Sequence, residues 1–246
     1  MDPARLLRPN PFSGDGGGVQ PDMAAALALH EPAERVEAIV AALTKGRVFV
    51  PVQAHAHPGV DGSGAVAGHE IADPQAEAID EAGQRRVPAP GGRMAVPLFS
   101  CAASLAAFDA DARPVPVWGR NIAAQTFAHG GLLALDPRSM NAADAAFYGG
   151  RTAAGAIAAD IAWVAPWLDP DIESELKGLV GGDGVVHQFR IEAAPNGVTR
   201  VFADISSMAT REAVAQAIQH VSDGLKANEV LSMRLGIVEF IPVRLA

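Results

Sequence analysis

One cysteine, Cys101, stands among the 246 residues, so no intrachain disulfide can brace the fold, and a reducing, cytoplasmic setting suits the chain. Aromatic residues are scarce at 5%, which leaves close helix packing to small side chains. Cationic charge is in the minority, with 19 Lys and Arg against 28 Asp and Glu and a net charge of −9. Nucleic acid and anionic membrane surfaces both need a basic field, because phosphate neutralisation dominates such binding, so neither is expected as a partner. No run approaches the roughly eighteen apolar residues of a membrane span. The opening MDPARLLRPNPFSGDGGG has no continuous apolar segment after a basic start, so a secretory leader is not expected. HExxH, GxSxG and Cys-x-x-Cys are missing too, which removes motif support for zinc-protease, hydrolase and dithiol redox readings. The glycine groups at 14–18 and 181–184 lack the strand before and the Gly-Lys-Ser/Thr after that a phosphate loop needs, and read as linkers.

Hydrophobic residues make up 49% of the chain, enough for a sizeable core in one large or two small domains. Residues 1–21, rich in Pro, Gly and Asp, read as a disordered tail. Two helices follow, with Asp22 expected to cap the first and Pro32 in the first turn of the second. In the second, Val36, Ile39, Val40 and Leu43 form one stripe, and Gly46 is placed to end it in a left-handed conformation. Val48, Val50 and Val52 alternate in a strand, and residues 54–92 then read as a surface insertion with a short helix near 75–81. The densest pattern is 93–137. It reads as a strand at 94–99, a short helix capped by Ser100, a strand at 114–118, a helix at 119–129, and a strand at 132–135 stopped by Asp136 and Pro137.

Pro51, Pro97 and Pro116 lie inside expected strands and cannot donate to a ladder, so the sheet is expected to be small and irregular. Residues 141–182 read as mostly helical, with Ala153, Ile157 and Ile161 on one face and a loop at 163–170. Gly181, Gly182 and Gly184 mark a boundary. Residues 184–246 then form a ββαβ pattern: two strands around Pro195-Asn196-Gly197, a helix lined by Val214, Ile218, Val221 and Leu225, and one or two strands over 229–243. The expected fold class is α+β, a small irregular sheet with flanking helices over 22–180, followed by a second ββαβ module over 184–246.

The order of a strand ending Pro-x-Phe-Ser, a short helix with Leu105 and Phe108, an Arg-Pro-Val-Pro-Val strand, a helix, and Leu-x-Leu-Asp-Pro resembles the N-terminal domain of the SseB family of bacterial proteins. The segments Gly149-Gly150-Arg151-Thr152-Ala153 and Trp167-Leu168-Asp169-Pro170 look like that family's following helical segment. The resemblance implies that 184–246 is its C-terminal domain, and it brings no catalytic residues with it. Segment 54–92 is longer than the family's usual strand connection.

Four sets of residues carry chemistry worth weighing. Cys101 follows a strand and opens a helix, where unpaired N–H groups and the helix dipole favour a thiolate, and His129 or His187 would have to approach it through the fold. His55, His57 and His69, with Glu70, have the residue types to hold zinc or nickel. Asp109, Asp111, Asp169 and Asp171 form acidic pairs that read as turn carboxylates. Trp118, Phe147, Tyr148, Trp163 and Trp167 are candidates for an aromatic binding groove. The reading favoured is a non-catalytic protein, without cofactor or metal, that binds a protein partner, a second copy of itself, or a small ligand. The alternatives are a thiol-dependent enzyme or redox sensor at Cys101, and metal binding through the histidine loop.

Overall fold

The computed structural model describes residues 11–53 and 74–246. Helices α1 (Pro21–Ala28) and α2 (Pro32–Lys45) each start on proline, whose missing N–H is one that a first turn leaves unbonded anyway. The expected stripe Val36, Ile39, Val40 and Leu43 is buried. Asp22 lies inside the first turn of α1, and Gln20 occupies the cap position expected of it. Gly46 is extended at φ −96°, not left-handed. Its small size serves a close approach, since a Cβ there would sit 2.5 Å from Gln20 Oε1 and 2.8 Å from the Ala42 carbonyl.

The chain continues through β1 (Arg47–Gln53), α3 (Pro74–Gln84), β2 (Val87–Ala89), β3 (Arg93–Leu98), α4 (Ala102–Phe108), β4 (Ala112–Trp118), α5 (Gly119–Ala128), β5 (Leu132–Pro137), β6 (Ala145–Gly149), α6 (Arg151–Ala159) and α7 (Pro170–Gly178). Then come β7 (Val186–Ala193), β8 (Thr199–Ile205), α8 (Arg211–Ala227), α9 (Glu229–Arg234) and β9 (Val238–Arg244). The class is α+β, as expected, and among the described residues the strands divide into three sheets: β1-β4, β2-β3-β5-β6 and β7-β8-β9.

This division explains the prolines. β1 and β4 form a ribbon in which both strands are edges, with Pro51 opposite Pro114 and Pro116 opposite Phe49. On β3, Ala95 pairs with β2, and Phe99 N–H donates to the Phe49 carbonyl in an isolated bridge. Pro97 shares their direction and falls in the gap between them, where no ladder asks for its N–H.

Three expectations change. Residues 145–149, read as the start of a helical run, are the edge strand β6, antiparallel to β5. The end of the expected insertion is core rather than surface, because Ala78, Ala82, Val87 and Ala89 are buried in α3 and β2. The last segment holds a helix, α9, before β9, and α8 with α9 make the crossover between parallel β8 and β9.

The third sheet is seated on the second. Ala194, Val198 and Ile237 share one apolar cluster with Val87, Ala89, Ala95, Leu132, Ala134 and Tyr148. The hairpin turn locks this seat, because Tyr148 N–H donates to the Asn196 carbonyl at 2.7 Å. Gly197 sits at φ 82°, and a Cβ there would lie 2.7 Å from the Tyr148 carbonyl and 2.8 Å from the Phe147 ring. Gly197→Ala therefore meets both backbone strain and a clash. Urea denaturation should show it destabilised by about 2 kcal/mol. An unchanged midpoint would mean that the turn is not seated on β6.

Candidate functional site

Two places hold residues that the sequence singles out, Cys101 at the first and Trp163 with Trp167 at the second. The first is the junction where β3 and β5, which run parallel, reach their carboxyl ends. Cys101, not Ser100, is the cap of α4: its sulfur accepts from Ser104 N–H at 3.3 Å and lies 3.1 Å from Ser104 Oγ. The thiol is half-buried. His129 is the C-cap residue of α5 and His187 lies on exposed β7, and the structure brings neither into the hydrogen bonds of Cys101.

Ser100 N–H donates to Asp136 Oδ1 at 2.8 Å, and its carbonyl accepts from Arg47 Nη1 at 2.9 Å. Asp136 has φ 47°, a left-handed conformation that aspartate tolerates better than most residues. Burial pushes its carboxyl above the usual carboxylate range, partly opposed by hydrogen bonds from Ser100 and Ser104. Sequence reasoning took Asp136 only as a strand stop and did not single out Arg47, since nothing local marks either side chain as turned inward.

Arg47 is buried at the first position of β1. Its guanidinium holds Asp15 through Nε–Oδ2 at 2.5 Å and Nη2–Oδ1 at 2.8 Å, and donates to the Gly18 carbonyl at 2.6 Å. The Arg47 hydrogen bond lowers the Asp15 pKa to about 2. Ala102 N–H donates to the Gly17 carbonyl, and the Phe12 ring packs at a tilt against Trp118, with centroids 4.9 Å apart. Residues 11–20, read from sequence as part of a disordered tail, are thus a strap fixed by one buried cation.

The second place is the segment 161–168. α6 ends at Asp160 in a left-handed cap at φ 53°, and Ile161 N–H returns to the Ala156 carbonyl. The turn takes Ile161 off the stripe of Ala153 and Ile157, where the helical period had placed it, and leaves it 62% exposed. Val164 and Leu168 are 58% and 63% exposed beside it. Trp163 and Trp167 pack edge to face at 5.7 Å behind this ledge. Their indole N–H groups donate to Thr152 Oγ1 at 3.2 Å and Glu37 Oε1 at 3.0 Å.

A cleft of about 380 Å³ lies beside Trp167 and Leu168, and one of about 330 Å³ beside Ile161 and Trp163. Of the five aromatics expected to line a groove, the structure brings together only these two tryptophans. Trp118 lies with Phe12 instead, while Phe147 and Tyr148 are fully buried in different apolar clusters. Neighbouring residues of a strand point to opposite faces, and both faces of β6 are covered.

The acidic pairs are structural turn groups. Asp109 pairs with Arg85 at 2.9 Å and accepts from Asp111 N–H. Asp169 caps α7 and, with Asp171, holds Arg234 of α9 at 3.1 and 2.8 Å. His55, His57, His69 and Glu70 lie outside the described residues. Among the described residues no group of three or more His, Cys, Asp or Glu is placed to hold a metal ion, and no helix is long and apolar enough to cross a membrane.

Residues 23–144 match the family model of the SseB protein N-terminal domain, and through that domain the chain belongs to the SseB family. No curated protein and no solved structure matches it. The matched region contains the Arg47–Ser100–Asp136 junction and ends just before β6, so the 161–168 ledge and the third sheet lie beyond it.

The two carboxylates of the junction carry opposite signs of pH dependence. Asp15 titrates below its ordinary value of about 3.9, so its contribution to stability is complete above about pH 4 and is lost as pH falls through about 2. Asp136 titrates above that value, so its contribution is complete below about pH 4 and is lost as pH rises through its elevated pKa. Denaturation between pH 2.5 and 7 should show Asp15→Asn losing most relative to the parent at pH 7. Asp136→Asn should compare better with the parent at pH 7 than at pH 3. A difference that does not vary with pH would contradict either assignment.

Proposed function

We propose that this protein is a non-catalytic, cytoplasmic binding protein, and that the ledge at 161–168 is where a protein partner docks. The observation that carries the reading is three large apolar side chains, Ile161, Val164 and Leu168, each more than half exposed on one short segment. Burying such a side chain fully is worth roughly 1.5–3 kcal/mol. The segment is held in advance by the two hydrogen-bonded indoles, so little ordering entropy would be lost on docking. Large apolar side chains exposed close together mark interaction sites more than singly scattered ones do, and Leu168 and Ile161 each border a cleft. The net charge of −9 argues against nucleic acid and anionic membrane as that partner. The Cys101 thiol is engaged in the cap with Ser104, which supports a structural part for it.

A photoreactive amino acid at Val164 in the full chain tests this in cells. One dominant protein should be crosslinked, and an excess of unlabelled parent should compete it away. The Ile161→Lys/Leu168→Lys variant should compete at least tenfold less well, with its fold intact because both positions are exposed. Equal competition by the variant, or crosslinks only to further copies of this chain, would overturn the reading.

A further inference from the structure

The ledge borders an unpaired sheet edge, and this says what kind of chain would dock there; the inference rests on the binding reading above. In the sheet β7-β8-β9 only one side of β7 is paired. Thr199 N–H donates to the Ile237 carbonyl and Leu245 N–H to the Ile205 carbonyl, so odd-numbered residues of β8 turn their backbone groups toward β9. Its even-numbered residues Arg200, Phe202 and Asp204 face β7, opposite Glu192, Arg190 and Gln188. The bond from Ala194 N–H to Val198 keeps this phase on β7, and Ser206 N–H to Val185 keeps it on β8 beyond the register shift between Val186 and Gln188. By the alternation of a strand, the N–H and C=O groups of Phe189 and Ile191 then point outward. Among the described residues no strand meets them.

These same residues wall the 380 Å³ cleft. Phe189, Arg190 and Ile191 line it consecutively, as a strand does when it is met edge-on, and Trp167, Leu168 and Leu176 supply apolar surface to the same cleft. Its charges are already neutralised: Lys177 pairs with Glu173 at 2.6 Å, Asp169 with Arg234 at 3.1 Å, and Arg190 with Glu192 at 3.2 Å and Asp204 at 3.3 Å. A fitting occupant offers backbone donors and acceptors at strand spacing to one wall, apolar side chains to the other, and no charge in between. We infer that the cleft accepts a short extended segment of the partner, with uncharged alternating residues, which adds to the edge of β7 by pairing with Phe189 and Ile191. Three β7 residues span about 10 Å, so the paired core is three or four residues long.

The probe is a capped heptapeptide, Lys-Val-Thr-Val-Thr-Val-Lys, titrated into the ¹⁵N-labelled full chain. The amides of Phe189 and Ile191 should shift saturably and exchange more slowly with solvent. Methylating alternate peptide nitrogens of the probe removes donors while keeping every side chain, and should weaken binding at least tenfold for one of the two alternating sets. Ile191→Pro, which deletes an outward N–H and spares the bonds to β8, should weaken the unmodified peptide likewise. Affinity insensitive to both methylated sets, shifts confined to residues away from β7, or no saturable shift at millimolar peptide would each overturn the inference. Any of these results alongside a crosslink at Val164 that the ledge variant fails to compete would overturn strand pairing alone and keep the ledge as a docking site. Peptide shifts at β7 with the ledge variant competing fully would overturn the ledge instead.

Discussion

A guanidinium that cannot give up its proton must find all its partners inside the protein when it is buried. Arg47 is 4% exposed, and the chain around it is arranged to meet that demand. Its donors reach the Asp15 carboxylate and the Gly18 and Ser100 carbonyls, and its flat face lies 4.3 Å from the ring centre of Phe49. Three separate pieces of chain are thereby tied together: the strap at 11–20, the start of β1, and the turn from β3 into α4. Ser100 extends the network, because its carbonyl faces the cation while its N–H faces the Asp136 carboxyl at the end of β5. Cation, peptide group and carboxyl stand in series across the carboxyl ends of two parallel strands. The family match covers Arg47, Ser100 and Asp136 of this network, while Asp15 and Gly18 of the strap precede it.

Close backbone approach does for the third sheet what the cation does for the strap. Gly197 lies over the Tyr148 carbonyl, and a Cβ on Gly150 would fall 2.9 Å from the Gly236 Cα. Around these contacts Arg93 donates to the Gly236 carbonyl at 2.8 Å and Arg35 to the Pro195 carbonyl at 3.2 Å. The third sheet is thus joined to the second through main-chain groups and small residues, with an apolar cluster underneath. The same seating carries β7 to the region of Trp167, so an unpaired strand edge and an apolar ledge come to border one cleft. Each feature lies on one short stretch of chain, and only the fold brings the two, more than twenty residues apart, to a common cleft.

Local order was readable where one period governed a whole segment. The α2 stripe, the valines of β1 and the Asn-Gly turn of the last hairpin each appear where their spacing places them. Failures occur where a local signal was overruled by a neighbour. Ala145–Gly149 has little to distinguish it from the helix that follows until β5 supplies a ladder. The helical period carried Ile161 into the core, but the left-handed turn at Asp160 lifted it out. The small residues of α3 and β2 fall in the expected surface insertion and are packing surface instead. Cys101 was read as a residue that opens a helix, and its sulfur does cap that helix; the hydroxyl it touches, Ser104, is its own helix neighbour.

What the sequence by itself determined is the set of segments with their periods, the acidic surface charge, and the family signature in residues 93–137. These depend on residues close together in the chain, where spacing alone decides which side chains share a face. Only the tertiary structure decided that Arg47 is inside with Asp15 and Ser100 around it, that Phe147 and Tyr148 are core while Trp163 and Trp167 edge a cleft, and that β7 keeps an open side beside them. Burial and charge pairing are properties of contacts between distant segments, and an arginine, a tryptophan or a strand edge carries no local mark of what will be folded against it.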